Sequence, residues 1–121
     1  MKENVIIDKT FKFSVEVIEL HKYLTEKKKE YVLSKQLLRS GTSIGANVEE
    51  AVGGLSRKDF IAKLQIAYKE SRESKYWLKL LHATGFIQNP EFETISNNLE
   101  EIIRILVSIL NSSKIDVPSN S

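Results

Sequence analysis

The 121-residue chain contains no cysteine. That absence excludes disulfides, thiolate nucleophiles and every zinc or iron–sulfur site built on Cys ligands. It also fits a reducing compartment. Two prolines and five glycines are few interruptions, so long regular elements are expected. Histidine is scarce, with only His21 and His82. No long hydrophobic run exists. The longest apolar stretch, Ile102 to Leu110, is broken by Arg104 and Ser108 and falls far short of the roughly 20 residues a membrane-spanning helix needs. Met1 to Asp8 holds a three-residue apolar run and two acids, which is not a leader pattern. The expectation is a cytoplasmic protein with no membrane association.

What is present describes an ordinary globular chain. Hydrophobic residues are 41% and charged residues 28%, so there is enough apolar surface for one core. The expected organisation is a single domain over residues 1–113 followed by a flexible tail over 114–121, where Ser, Asn, Asp and Pro accumulate. Net charge is only +2 but unevenly spread. Residues 22–79 carry 13 Lys/Arg against 7 Asp/Glu, while residues 80–121 carry 2 against 5. Two readings of this asymmetry are open. It is a basic binding face, or it is charge complementarity between neighbouring helices.

Four segments show helical periodicity, and together they predict an all-α, antiparallel up-down four-helix bundle. The third is the clearest. Phe60, Leu64, Ala67, Ser71, Ser74, Leu78, Leu81 and Gly85 alternate in spacings of four and three, which is one face of a helix. Ser56 is its expected N-cap, Asp59 follows three residues on, Leu55 is placed to staple against Phe60, and Gly85 is a natural stop. In the fourth helix Asn89 caps, Pro90 suits the first turn, and Phe92, Ile95, Leu99, Ile102, Leu106 and Ile109 form the stripe, widened by Ile103 and Leu110.

The first helix is expected from about Lys9 to Glu26, with Asp8 as its cap. Phe13, Val17, Leu20 and Leu24 make one stripe, and Phe11, Val15 and Ile18 a second beside it. So wide an apolar face implies more than one neighbour. Lys27, Lys28 and Lys29 close the helix at the cationic end of its dipole; nucleic-acid contact is the lesser alternative. The second helix is expected to be capped by Ser34. It carries Leu37, Ile44, Val48 and Ala51, with Gly41 and Gly45 among them. Each internal glycine costs about 1 kcal/mol, which implies a close helix–helix or subunit contact that offsets it. The alternative is a break into two shorter helices.

Tests for catalytic chemistry fail. Di-iron bundles use two Glu-x-x-His motifs, whereas the residues three before His21 and His82 are Ile18 and Lys79. The glycine pairs do not form a phosphate-binding loop, and no Ser/His/Asp set has a recognisable arrangement. Glu49/Glu50 and Glu100/Glu101 are sequence neighbours that point about 100° apart on a helix, so they are not acid–base dyads. The expectation is therefore a protein that is not an enzyme, with no cofactor and no metal. Gln36, Ser40, Ser43, Asn47 and Glu50 on the second helix, with Ser71 and Ser74 on the third, read as polar residues that hydrogen-bond across the bundle and fix its register; a ligand site is the alternative.

The basic residues of the middle helices are the functional candidates. Lys35 and Arg39 lie four apart, and Arg72, Lys75 and Lys79 are spaced three and four apart, with Lys69 extending the charge and Glu70 and Glu73 diluting it. Cations sharing a surface can hold a phosphate backbone without any sequence motif, although any solvated helix face looks similar.

The stretch from Gln36 to Ala51, with Arg39, Ser40, Ser43, Ile44, Asn47, Val48 and Glu50 in register, resembles the signature of a bacterial four-helix-bundle family. Its members include the proteins encoded in intervening sequences of 23S ribosomal RNA genes. Val48 and Ala51 stand where that pattern has Ile and Gly. Phe60, Leu64, Ile66, Ala67, Ser71 and Glu73 look similar to its third helix, with Glu73 two residues after Ser71 instead of three. The resemblance spans about residues 9–110. It implies a homopentameric ring and no enzymatic activity. A related accessory protein of diversity-generating retroelements binds nucleic acid and a reverse transcriptase, so RNA, DNA or such a protein partner is implied here. By that motif Gln36, Arg39, Ser40, Ser43, Asn47 and Glu50 are the hallmark positions, with no catalytic role implied; they are expected in the core or at an interface, as the spacing already suggests for Gly41, Gly45 and Ser71.

Overall fold

A computed structural model describes the chain from residue 2 to residue 116, with side chains from 5 to 113. The elements are α1 (Lys2–Glu26), α2 (Leu33–Val52), α3 (Arg57–Ala83) and α4 (Asn89–Asp116). Short connections at 27–32, 53–56 and 84–88 force consecutive helices to run antiparallel. α1 packs on α2 and α4, and α3 packs on α2 and α4. Among the described residues the diagonal helices, α1 with α3 and α2 with α4, do not meet. The four-helix bundle expected from periodicity is the observed fold.

The core follows the seams read from the sequence. Phe13, Val17 and Leu24 of α1, Leu37, Ile44 and Val48 of α2, Leu64, Leu78 and Leu81 of α3, and Leu99, Ile102 and Leu106 of α4 belong to one core, all essentially inaccessible to water. Each such side chain contributes about 1.5–3 kcal/mol of burial. Phe11, Val15 and Ile18 differ from expectation. They are 67%, 44% and 40% exposed, so among the described residues the second apolar stripe of α1 is left largely uncovered.

Helix ends show which local signals hold. Ser56 caps α3, its hydroxyl accepting from the Asp59 amide at 3.1 Å. Leu55 does not staple, being 98% exposed. Gly85, at φ +86°, ends α3. Its amide donates to the His82 carbonyl and the Phe86 amide to the Leu81 carbonyl, the paired bonds of a left-handed C-terminal cap. Asp8 does not cap α1, which begins two turns earlier because buried Ile6 and Thr10 continue the inward seam. α4 runs to Asp116, so residues 114–116 of the expected tail are helical; 117–121 lie outside the described residues.

Ser34 does not cap α2 either, because Glu30 occupies that role. Its carboxylate accepts from the amides of Val32 (3.1 Å), Leu33 (2.9 Å) and Ser34 (2.7 Å), while the Ser34 hydroxyl donates back to the Glu30 carbonyl. Burial pushes the Glu30 pKa up, but these amides and the Ser34 hydroxyl outweigh it and hold the carboxyl below its ordinary value. One carboxylate thus satisfies three of the orphan donors at a helix start.

α2 is continuous through both glycines. A Cβ at Gly41 would stand 2.8 Å from Val17 Cγ2, and one at Gly45 would stand 3.3 Å from Ser14 Oγ and from the Thr10 carbonyl oxygen. The missing side chains let α2 close onto α1. The contact lies within one chain and offsets the helical cost of glycine.

Candidate nucleic-acid interface

The six basic candidates do not form one surface. Arg39 bonds to Glu70 at 3.3 Å and to Glu73 in a tighter contact. Its pKa is raised, chiefly by the hydrogen bond to Glu73. Lys75 turns toward α4 and pairs with Glu100 at 3.2 Å. Spacing along the sequence groups Lys75 with Arg72 and Lys79. About 40° of helical rotation instead brings it within reach of the neighbouring helix. Lys35 is exposed on α2.

Lys69, Arg72 and Lys79 do share a face. They belong to the series Lys58, Ala62, Gln65, Lys69, Arg72, Tyr76, Lys79 and Ala83, every one exposed. The spacing alternates four and three, and the series stands two residues out of step with the buried seam. Two residues are about 200° of rotation, so this is the back of α3. It contains four cations and no carboxylate. Lys58, Arg72 and Lys79 make no ion pair among the described residues. Lys69 helps to hold the Glu73 carboxyl below its ordinary pKa, after the larger effects of the Trp77 and Arg39 hydrogen bonds. Lys58 and Tyr76 are not among the residues singled out from the sequence, although the same four-three spacing that locates the core also reaches them.

Next to this face, polar groups couple α3 to α2. Trp77 Nε1 donates to Glu73 at 3.0 Å, and Tyr76 meets the Trp77 ring edge-on, with centroids 5.1 Å apart. Behind them the Ser74 hydroxyl donates to the buried Ser40 hydroxyl at 2.9 Å, which among the described residues is the one hydrogen bond that joins two members of the expected polar set across helices. Ser43 and Asn47 bond back to the Arg39 and Ser43 carbonyls of their own helix. Buried Ser71 donates to the Tyr68 carbonyl. Gln36 and Glu50 are exposed, and Glu50 pairs with Lys63 at 2.9 Å. These residues therefore do not stack into a polar ladder. A helical Ser or Asn can reach its own preceding turn more cheaply than a distant helix.

A concavity between α1 and α4 has the wrong sign for phosphate. This groove of about 750 Å³ is lined by Val15, Leu20, Tyr23 and Ile95 with Glu16 and Glu19. Glu16 accepts from Asn98 Nδ2 at 2.9 and 3.0 Å. His82 stacks on Phe92, with centroids 4.0 Å apart, and its Nε2 lies 2.6 Å from Asn89 Oδ1; it joins α3 to α4. Among the described residues no group of three or more His, Asp or Glu gathers as metal ligands, and no helix is long and apolar enough to cross a membrane.

Comparison with known proteins follows the fold. A solved structure from Bacteroides thetaiotaomicron VPI-5482, described as a protein of unknown function from the S23 ribosomal protein family, superimposes with a TM-score of 0.90 at 50% identity. The match covers 92% of this chain and 99% of the other. No curated protein matches. The family described as 23S rRNA-intervening sequence protein matches residues 2–108, and the chain belongs to that family.

Proposed function

We propose that this protein is a non-enzymatic, ring-forming bundle that binds RNA or another nucleic acid through the outward face of α3. The observation that carries the reading is the acid-free stripe holding Lys58, Lys69, Arg72 and Lys79. Lys69 to Lys79 spans about 15 Å at 1.5 Å per residue, a length over which a polyanion presents several phosphates. Binding of this kind releases counterions and weakens steeply with salt.

Ring formation draws support from α1. Phe11, Val15 and Ile18 leave an apolar strip in water, the feature expected of a surface that meets another protein. The strip is on α1, diagonal to α3, so an assembly through α1 leaves the cationic stripe open. A pentamer is the state the family resemblance implies. The same strip also favours a second reading, a scaffold whose partner is a different protein such as a reverse transcriptase.

Two measurements decide. Retention on RNA is expected to fall with salt. Replacing Lys69, Arg72 and Lys79 with Glu is expected to abolish it, and replacing them singly to flatten the salt slope by roughly 0.7–0.9 for each phosphate left without its cation. No retention at low salt, or retention unchanged by the triple replacement, sinks the nucleic-acid reading. Light scattering is expected to give about five times the 13.8 kDa chain mass; a monomer mass refutes the ring.

A further inference from the structure

We propose that Tyr76 is a base-stacking platform within the α3 stripe, and that the preferred ligand is single-stranded nucleic acid with unpaired bases. This rests on the nucleic-acid reading above and adds a ligand class to it. Cations alone do not tell strand from duplex, because both present phosphates. The stripe holds one residue that can.

Tyr76 is 57% exposed and sits between Arg72, four residues before it, and Lys79, three after. Those spacings make the three side chains surface neighbours. A ring left in water between two cations and away from any carboxylate of its own stripe has little to gain in the folded chain. One side of it is nevertheless braced. The Trp77 ring meets it at 69°, Trp77 is held by Glu73, and Glu73 is held by Arg39 from α2. A ring braced on one side and open on the other needs little reorganisation to receive a base. Base–aromatic stacking is tolerant of sequence because every base has a π face. A duplex keeps those faces inside its own stack, so only a strand with unstacked bases gains from Tyr76 while its phosphates meet Arg72 and Lys79.

Fluorescence anisotropy with a labelled oligouridylate and with an RNA duplex of the same length tests this. The wild-type chain is compared with Tyr76→Ala, Tyr76→Phe and Arg72→Glu, each first shown to melt like the wild type. Tyr76→Ala is expected to weaken single-strand binding about tenfold and to leave duplex binding within about twofold. Tyr76→Phe, which keeps the ring, is expected to retain single-strand affinity. Equal losses on strand and duplex overturn the stacking role. So does an unchanged Tyr76→Ala in a protein that Arg72→Glu still weakens, and that result leaves the phosphate-binding reading intact. Absence of binding to either RNA overturns both.

Discussion

α2 closes on its two neighbours by different means. Toward α1 it presents Gly41 and Gly45, and the contact is one of volume: Val17, Ser14 and the Thr10 backbone occupy the space that side chains would need. Toward α3 it presents Arg39, Ser40 and Glu50, and the contact includes the Ser40–Ser74 hydrogen bond and ion pairs to Glu70, Glu73 and Lys63. The first seam has no room for an added carbon at Gly41 and little at Gly45. The second accepts modest changes of shape and depends on which partners remain. One helix therefore sets distance on one side and register on the other.

The comparison breaks first at Gly41. Leucine there drives carbon atoms into the side chain of Val17, and because Val17 is β-branched, stiff at χ1 and fully buried, the collision cannot be relieved by a flexible side-chain end. Thermal unfolding of Gly41→Leu is expected to show a loss of about 3 kcal/mol or failure to fold. A native melting temperature would mean that the α1–α2 distance is not set by this glycine.

A smaller effect is expected at the buried hydroxyls. Ser74→Ala removes the donor to Ser40 and is expected to cost about 1 kcal/mol in denaturant unfolding, because the buried Ser40 hydroxyl is left with only its 3.5 Å bond to the Leu37 carbonyl. The double replacement Ser40→Ala with Ser74→Ala is expected to cost less than the sum of the singles, since the shared bond is lost only once. Strict additivity would show that the two hydroxyls are not coupled.

The smallest effect belongs to the half-exposed ion pairs. Arg39→Ala is expected to cost about 0.5 kcal/mol at neutral pH and low salt, and nothing measurable at high salt. Its pH dependence has a definite sign. Hydrogen bonds from Trp77 and then Arg39 hold the Glu73 carboxyl below its ordinary 4.5. Its contribution is therefore complete above that value and is lost as pH falls through the lower, folded pKa. The difference between Arg39→Ala and the wild type is expected to shrink on that acid limb. A cost that persists at high salt, or at pH values where Glu73 is protonated, would place the role of Arg39 in packing.

The seams of all four helices were legible in the sequence because burial imposes a repeat that local composition cannot imitate by accident over many turns. Ser56 and Gly85 were legible because their roles are completed within a few residues of themselves. Glu30 was not. It ends a run of three lysines and looks like a solvated charge, and only the folded loop turns its carboxylate onto the amides of Val32, Leu33 and Ser34. The separation of Lys75 from Arg72 and Lys79 was hidden for a similar reason: the reach to Glu100 depends on where α4 lies. Leu55 shows the reverse failure, a correct local pattern for a staple that the loop geometry leaves in solvent. Nothing in the spacing could show that Phe11, Val15 and Ile18 are left largely uncovered by the described residues, since an apolar stripe reads the same whichever molecule covers it.

The diagonal placement of α1 and α3 has a consequence for strength of binding. Copies joined through α1 would carry their α3 stripes at fixed separations on one particle. A long strand that engages one stripe is then held at high effective concentration beside the next, so contacts too weak to matter singly multiply into avidity without any new interaction. Such a particle would discriminate by length, holding long strands far more tightly than short ones at the same salt.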